Sequence, residues 1–185
     1  MATPSNAPVK TIPMSRFARI EGPYRYELQR AWDVDKSALV VVGLNPSTAD
    51  GTRDDATIRV LVNYARRLGA GRLVMLNLYA WRATFPRDLK AAAWRGEDVI
   101  GPENTFPHLT AKICSFPDRI VFAAWGSHGK KYGDTFVRHY CNVMANASAM
   151  KCFAVNTDGS PHHPLHITLN FNAPLSPYVV PEVRA

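Results

Sequence analysis

The chain reads as an α/β protein: a three-layer α/β/α sandwich whose four-stranded parallel sheet carries an N-terminal β-hairpin extension. Three observations predict it. Short continuous apolar runs recur along the chain, segments of helical period lie between them, and Gly- or Pro-bearing turns separate the two. Strands that alternate with helices require right-handed crossovers, which lay the strands parallel and cover both faces of the sheet.

The elements follow in order. Residues 1–15 mix Pro, Ser, Asn and Thr and read as a flexible tail, leaving residues 16–185 as a single domain. Residues 18–33, ARIEGPYRYELQRAWD, hold two extended runs about a Gly22-Pro23 turn. Their basic and aromatic residues (Arg19, Tyr24, Arg25, Tyr26, Arg30, Trp32) either face nucleic acid or pack the hairpin on the core edge, and packing is the commoner use of aromatics. Residues 38–42, ALVVV, form a strand buried on both faces. Asp54 and Asp55 offer N-caps to a helix with Ile58, Leu61, Ala65 and Leu68 on one face, closed by Gly69. Residues 73–76 make the second strand, and one short helix is expected near residues 89–95. The third strand spans 119–124, an amphipathic helix 133–144 and the fourth strand 151–155.

Composition narrows the function. The 185 residues are 46% hydrophobic, enough for a sizeable core, so general disorder is excluded. No apolar run approaches the ~20 residues of a spanning helix, and MATPSNAPVK has no signal-like stretch, so a cytoplasmic protein without a membrane partner is expected. A formal charge of +7 favours a polyanionic partner, nucleic acid first. Cys114, Cys141 and Cys152 are scattered without a CxxC pair and read as buried, reduced thiols. His162, His163 and His166 have no paired acid or thiol nearby in sequence, so no metal or other cofactor is expected. Without a heptad or an exposed apolar stripe, a monomer with no protein partner is expected.

In such sheets ligands bind beyond the carboxyl ends of the strands. There the chain carries Gly43-Leu44-Asn45-Pro46-Ser47, then Leu76-Asn77-Leu78, then Trp125-Gly126-Ser127-His128-Gly129-Lys130-Lys131, then Pro161-His162-His163-Pro164-Leu165. These segments, GLNPST, VMLN, VFAAWGSHGKK and HHPLH, resemble in the same order the GQDPYH, LLN, VFLLWG and HPSPLS motifs of the uracil-DNA glycosylase superfamily. GLNP is nearest to the GINP of its mismatch-specific thymine/uracil branch, and the resemblance covers residues 38–166. The chain also resembles an uncharacterised bacterial family with YRYxLxR, LNPSTAD and PxHPL motifs, a likeness that supplies no activity.

The superfamily resemblance implies a hydrolase: a monofunctional DNA glycosylase that flips a base from single- or double-stranded DNA and cleaves its N-glycosidic bond. It implies that His163 donates a hydrogen bond to the departing base and that Asn77 reads a pyrimidine edge. Asn45 stands where GQDPYH has its water-activating aspartate; an amide orients water but cannot take its proton, so Asp50, Asp54 or Asp55, with Asp55 preferred, is the candidate carboxylate. Capping alone is the plainer role for Asp54 and Asp55. Leu44, Ser47 and Tyr79 join the base site, and Ser47, in place of the motif's tyrosine, implies room for a C5-modified pyrimidine and hence DNA repair or phage defence. Ser127, His128, Lys130, Lys131, Arg53 and Arg82 are candidate DNA contacts, and Leu165 or Leu169 a wedge into the duplex. The segment Ala173-Pro174-Leu175-Ser176 competes with the histidine segment as the DNA-facing loop. Two other functions stay open: hydrolysis of free modified nucleosides or nucleotides, and non-catalytic nucleic-acid binding.

Overall fold

A computed structural model describes residues 14–144, 150–166 and 175–180. The tail residues 1–13, Leu169, Ala173 and Pro174 lie outside the described residues, as does the side chain of His166.

The protein is α/β. Its sheet comprises β1 (Ser15–Glu21), β2 (Tyr24–Ala31), β3 (Ala38–Gly43), β4 (Arg72–Asn77), β5 (Arg119–Ala123), β6 (Lys151–Cys152) and β7 (Ser176–Pro177) in the order β1-β2-β4-β3-β5-β6-β7. The expected four-stranded sheet is therefore corrected to seven strands. β4, β3, β5 and β6 pair in parallel, but β2 adds antiparallel to β4 and β7 antiparallel to β6. The reason is local: the hairpin turns back at Gly22 (φ +55°), and the Leu28–Ala31 stretch satisfies the open edge of β4. The fourth strand is only Lys151–Cys152, because Val155 bridges back to Pro161.

Every residue of β3 is buried, and side-chain alternation divides it between two cores. Leu39 and Val41 pack with Ile58, Leu61 and Ala65 of α1 (Ala56–Arg67) on one face. Val40 and Val42 pack on the other with Leu89 of α2 (Pro86–Trp94), Ile113 of α3 (Phe106–Cys114) and Phe136 of α4 (Lys130–Val143). Each such buried Leu, Ile or Val contributes ~1.5–3 kcal/mol of hydrophobic stabilisation.

α1 begins where Asp55 Oδ1 accepts the Ile58 N–H at 2.9 Å, carries Arg66 and Arg67 in its last turn, and ends before Gly69 at φ +75°. α3 went unpredicted; it starts after Thr105 with Pro107 in its first turn and buries Leu109 and Ile113, four residues apart. α4 starts three residues before the predicted 133, since Gly129 and Gly133 leave space for the Trp125 indole against its first turns. Cys141, expected buried, is exposed on α4, while Cys152 is buried. No helix among the described residues is long and apolar enough to cross a membrane.

The topology has one switch point. From β3 the chain crosses to β4 on one side, and β5 takes its place on the other, opening a crevice at their carboxyl ends.

Candidate functional site

A pocket of about 710 Å³ occupies that crevice, within the ~300–1,000 Å³ of small-molecule sites. Its wall gathers Leu44, Asn45 and Ser47 after β3, Asp55 and Thr57 at the start of α1, Trp125, Ser127 and His128 after β5, and Asn156, His163 and Leu165 from the segment beyond β6. Eight candidates separated widely in sequence thus share one cavity.

Asn45 is fixed by its own amide. Nδ2 donates to the carbonyl oxygens of Ala83 at 2.7 Å and Pro46 at 3.1 Å. Only an NH₂ group can donate to carbonyls, so the amide orientation is set and Oδ1 is the acceptor left over. An aspartate here would oppose two carbonyl oxygens, which accounts for the amide at this position.

His163 Nδ1 accepts the Leu165 backbone N–H at 3.3 Å. A nitrogen that accepts carries no proton, so in the neutral ring the proton sits on Nε2 and makes it a donor. Position follows from packing. A methyl built at Gly126, whose φ of +67° suits only glycine, would lie 3.7 Å from His163 Cβ, and the Pro164–His166 turn rests on α1. Ser127 Oγ meets Ser160 Oγ at 3.2 Å, and Ser160 also takes Asn156 Nδ2 at 2.8 Å, tying the post-β5 loop to the histidine segment. Hydrogen bonds from Ser160 hold the Asp158 carboxyl below the usual carboxylate range.

Asp55 caps α1 with Oδ1 while Oδ2 makes no hydrogen bond among the described residues, so capping and pocket lining coexist in one side chain. Asp54 is paired with Arg30 at 2.7 Å and Arg16 at 2.9 Å. Asp50 is turned into its own loop, where the N–H groups of Thr52 and Arg53 and the Thr52 hydroxyl hold its pKa at about 2.

Other candidates lie outside the pocket wall. Asn77 is 1% exposed beside Gly43, and neither side-chain amide atom has a partner; a methyl at Gly43 would sit 3.1 Å from its Oδ1. Gly43 lines the pocket where Asn77 does not. Tyr79 stacks on Tyr132 at 5.1 Å within the core of the opposite face, and burial raises its pKa. Lys130 pairs with Asp134 at 2.9 Å, whose other oxygen accepts the Tyr178 hydroxyl at 2.6 Å. Lys131 and Arg53 are exposed, and Arg82 Nε is buried without a partner. No group of three His, Cys, Asp or Glu among the described residues is placed to hold a metal.

Sequence reasoning missed Arg25 as a pocket residue. β1 and β2 slip register between Arg19–Glu27 and Ile20–Arg25, leaving Tyr26 as the extra residue of a bulge. Tyr26 and Glu27 consequently face one groove, lined also by Lys112, while Arg25 stands in the wall of the crevice pocket. Plain alternation cannot reveal such a slip. Arg25 is 2% exposed, and burial lowers its pKa from 12.5 to about 10, an effect that Asp55 opposes and Arg82 reinforces.

A family model described as a protein of unknown function (DUF1643) matches residues 25–165. No curated protein and no solved structure matches the chain.

Proposed function

The chain belongs to the DUF1643 family, and we propose that it is a monofunctional DNA glycosylase acting on a flipped, C5-modified pyrimidine. One observation carries the reading: Asn45 and Asp55 from the β3–α1 connection and the sequence-distant His163 line one pocket at the switch point of an α/β sheet. The motif order that resembles the uracil-DNA glycosylase superfamily, with its three-layer fold, supports it.

The chemistry follows from these groups. Breaking the glycosidic bond leaves negative charge on the base and positive charge on the sugar. His163, protonated on Nε2, donates to the base oxygen as charge develops there. Asn45 Oδ1 accepts from a water and orients it toward the sugar carbon. The unbonded Oδ2 of Asp55 is the carboxylate oxygen available to take that water's proton. Trp125 and Leu165 supply apolar wall, which strengthens each of these interactions by excluding solvent. A 5-substituted base fits beside Ser47, which lines the cavity without the bulk of a tyrosine.

Mass spectrometry of released bases tests the reading, using single- and double-stranded DNA that contains uracil, thymine mismatches or hydroxymethyl-pyrimidines. Release of one base that a His163→Ala variant no longer releases is expected. Absence of release from every polymer overturns it.

Hydrolysis of a free modified nucleotide is the second reading. The Lys130–Asp134 ion pair favours it, since it removes one cation from the rim that a DNA backbone would use. Steep loss of duplex affinity with rising salt decides for the polymer.

A further inference from the structure

Arg25 is an anomaly within the fold. The residue is 2% exposed, yet among the described residues only Nη1 of its guanidinium is engaged, on the Ala49 carbonyl at 2.8 Å, and Nε has no partner. Among the described residues it forms no ion pair, whereas the other buried arginine of the hairpin, Arg30, spends its donors on Asp54, Asp50, Arg53, Gln29 and Phe17. A buried cation left this poor in partners costs several kcal/mol unless something else meets it. The cavity is the open side available, because Arg25 stands in its wall.

The neighbouring carboxylates are hydrogen-bonded elsewhere and leave the guanidinium open to an anionic acceptor. Asp50 is consumed by its own loop and Arg30 by Asp54. Asp55 and Asp50 act on Arg25 only through space, opposed by Arg82 and Arg30, and none of them meets its Nε with a hydrogen bond. The first turn of α1 (Ala56, Thr57, Ile58) borders the same space and adds the partial positive charge of a helix N-terminus. The bulge at Tyr26 is the device that aims Arg25 there.

We infer that Arg25 receives an anionic oxygen of the bound substrate, so that the nucleotide entering this pocket presents a carboxylate or a phosphate to that guanidinium. The inference rests on the nucleotide reading of the pocket given above. It adds a charge requirement to the substrate: the group is either borne by pyrimidine C5 or is the nucleotide's own phosphate.

Calorimetric titration at neutral pH separates these sources, with 2′-deoxyuridine, its 5-carboxy derivative, its 5′-monophosphate and inorganic phosphate as probes. One charged nucleoside is expected to bind about tenfold to a hundredfold tighter than deoxyuridine, as a charge-assisted hydrogen bond supplies. The 5-carboxy compound assigns the anion to the base and the monophosphate assigns it to the backbone. Arg25→Gln should erase the preference for the charged probe over deoxyuridine; if that variant does not fold, Arg25→Lys, which keeps the charge without the fork, should reduce it. Equal binding of charged and neutral probes by the wild type overturns the inference and leaves the nucleotide reading standing, and so does a preference that survives Arg25→Gln or, where that variant does not fold, Arg25→Lys. Phosphate bound in an Arg25-dependent manner with no nucleoside bound overturns the nucleotide reading alone. No binding of any probe overturns both.

Discussion

Asn45 Nδ2 lies 2.7 Å from the carbonyl oxygen of Ala83, joining the loop that follows β3 to the one that precedes α2. This bond and its 3.1 Å companion to Pro46 make position 45 a donor site. An Asn45→Asp variant should lose ~1–3 kcal/mol of stability at pH 7, because an ionised carboxylate cannot donate to either carbonyl. It should also lose, rather than gain, base-release activity. Urea unfolding and the base-release assay check the two halves.

Ser47 predicts a size limit. Replacing it with tyrosine fills part of the cavity that Leu44 and Asn45 border. Ser47→Tyr should keep release of an unsubstituted pyrimidine and abolish release of the bulkiest C5-substituted one, read as a ratio of kcat/KM values. Full activity on the bulky base would sink the argument from pocket width.

Gly133 sits under the Trp125 indole, where an added methyl would collide with the ring, and a methyl added at Gly129 would lie 2.8 Å from Trp125 Cβ. Trp125 is 1% exposed and has no room to retreat. Gly133→Ala should therefore cost ~1–3 kcal/mol from overpacking, although alanine is favoured over glycine within a helix by about 1 kcal/mol. A raised Tm in that variant would contradict the packing.

Lys130 and Lys131 are neighbours with opposite assignments. Lys131 is exposed and makes no ion pair among the described residues, so Lys131→Ala should weaken duplex DNA binding and reduce the salt slope by about one. Lys130 holds the buried Asp134 together with Tyr178, so Lys130→Ala should lower stability by ~1–2 kcal/mol. Fluorescence anisotropy across a salt series and thermal unfolding distinguish the two.

Asp50 sets an acid limit on the loop before α1. Its folded pKa of about 2 lies below the value of an unfolded chain, so its contribution is complete above the ordinary carboxylate pKa. It vanishes as pH falls from ~4 through the folded value. Asp50→Asn removes this titration, so the variant should show a shallower fall in Tm than the wild type across that interval. Parallel profiles would refute the assignment.

The central strands were legible because ALVVV and the IVFAA that follows Arg119 are apolar without interruption, the pattern of a strand covered on both faces. The cap at Asp55 and the stop at Gly69 were equally plain in the sequence. α3 was not, since Pro107 and the mixed FPHLTAKIC run obscure a helix that owes its place to tertiary packing. The pocket position of His163 and Asn45 followed from strand ends, whereas Tyr79 turned away with the core of the far face. Arg25 was the deepest omission. A one-residue slip between two strands leaves no mark on composition or period, yet it decides which face receives the side chain.

The hairpin also acts as a seal. Without it the parallel strand Arg72–Asn77, almost wholly buried, would become a bare margin of the sheet, ready to template pairing with another molecule. In its place stands β1, bulged against β2 and carrying Arg16 and Arg19, whose charges discourage such pairing. Trimming the chain ahead of residue 32 would thus do more than remove one pocket cation: it would trade a guarded border for an aggregation-prone one, coupling solubility to ligand recognition in a single supersecondary unit.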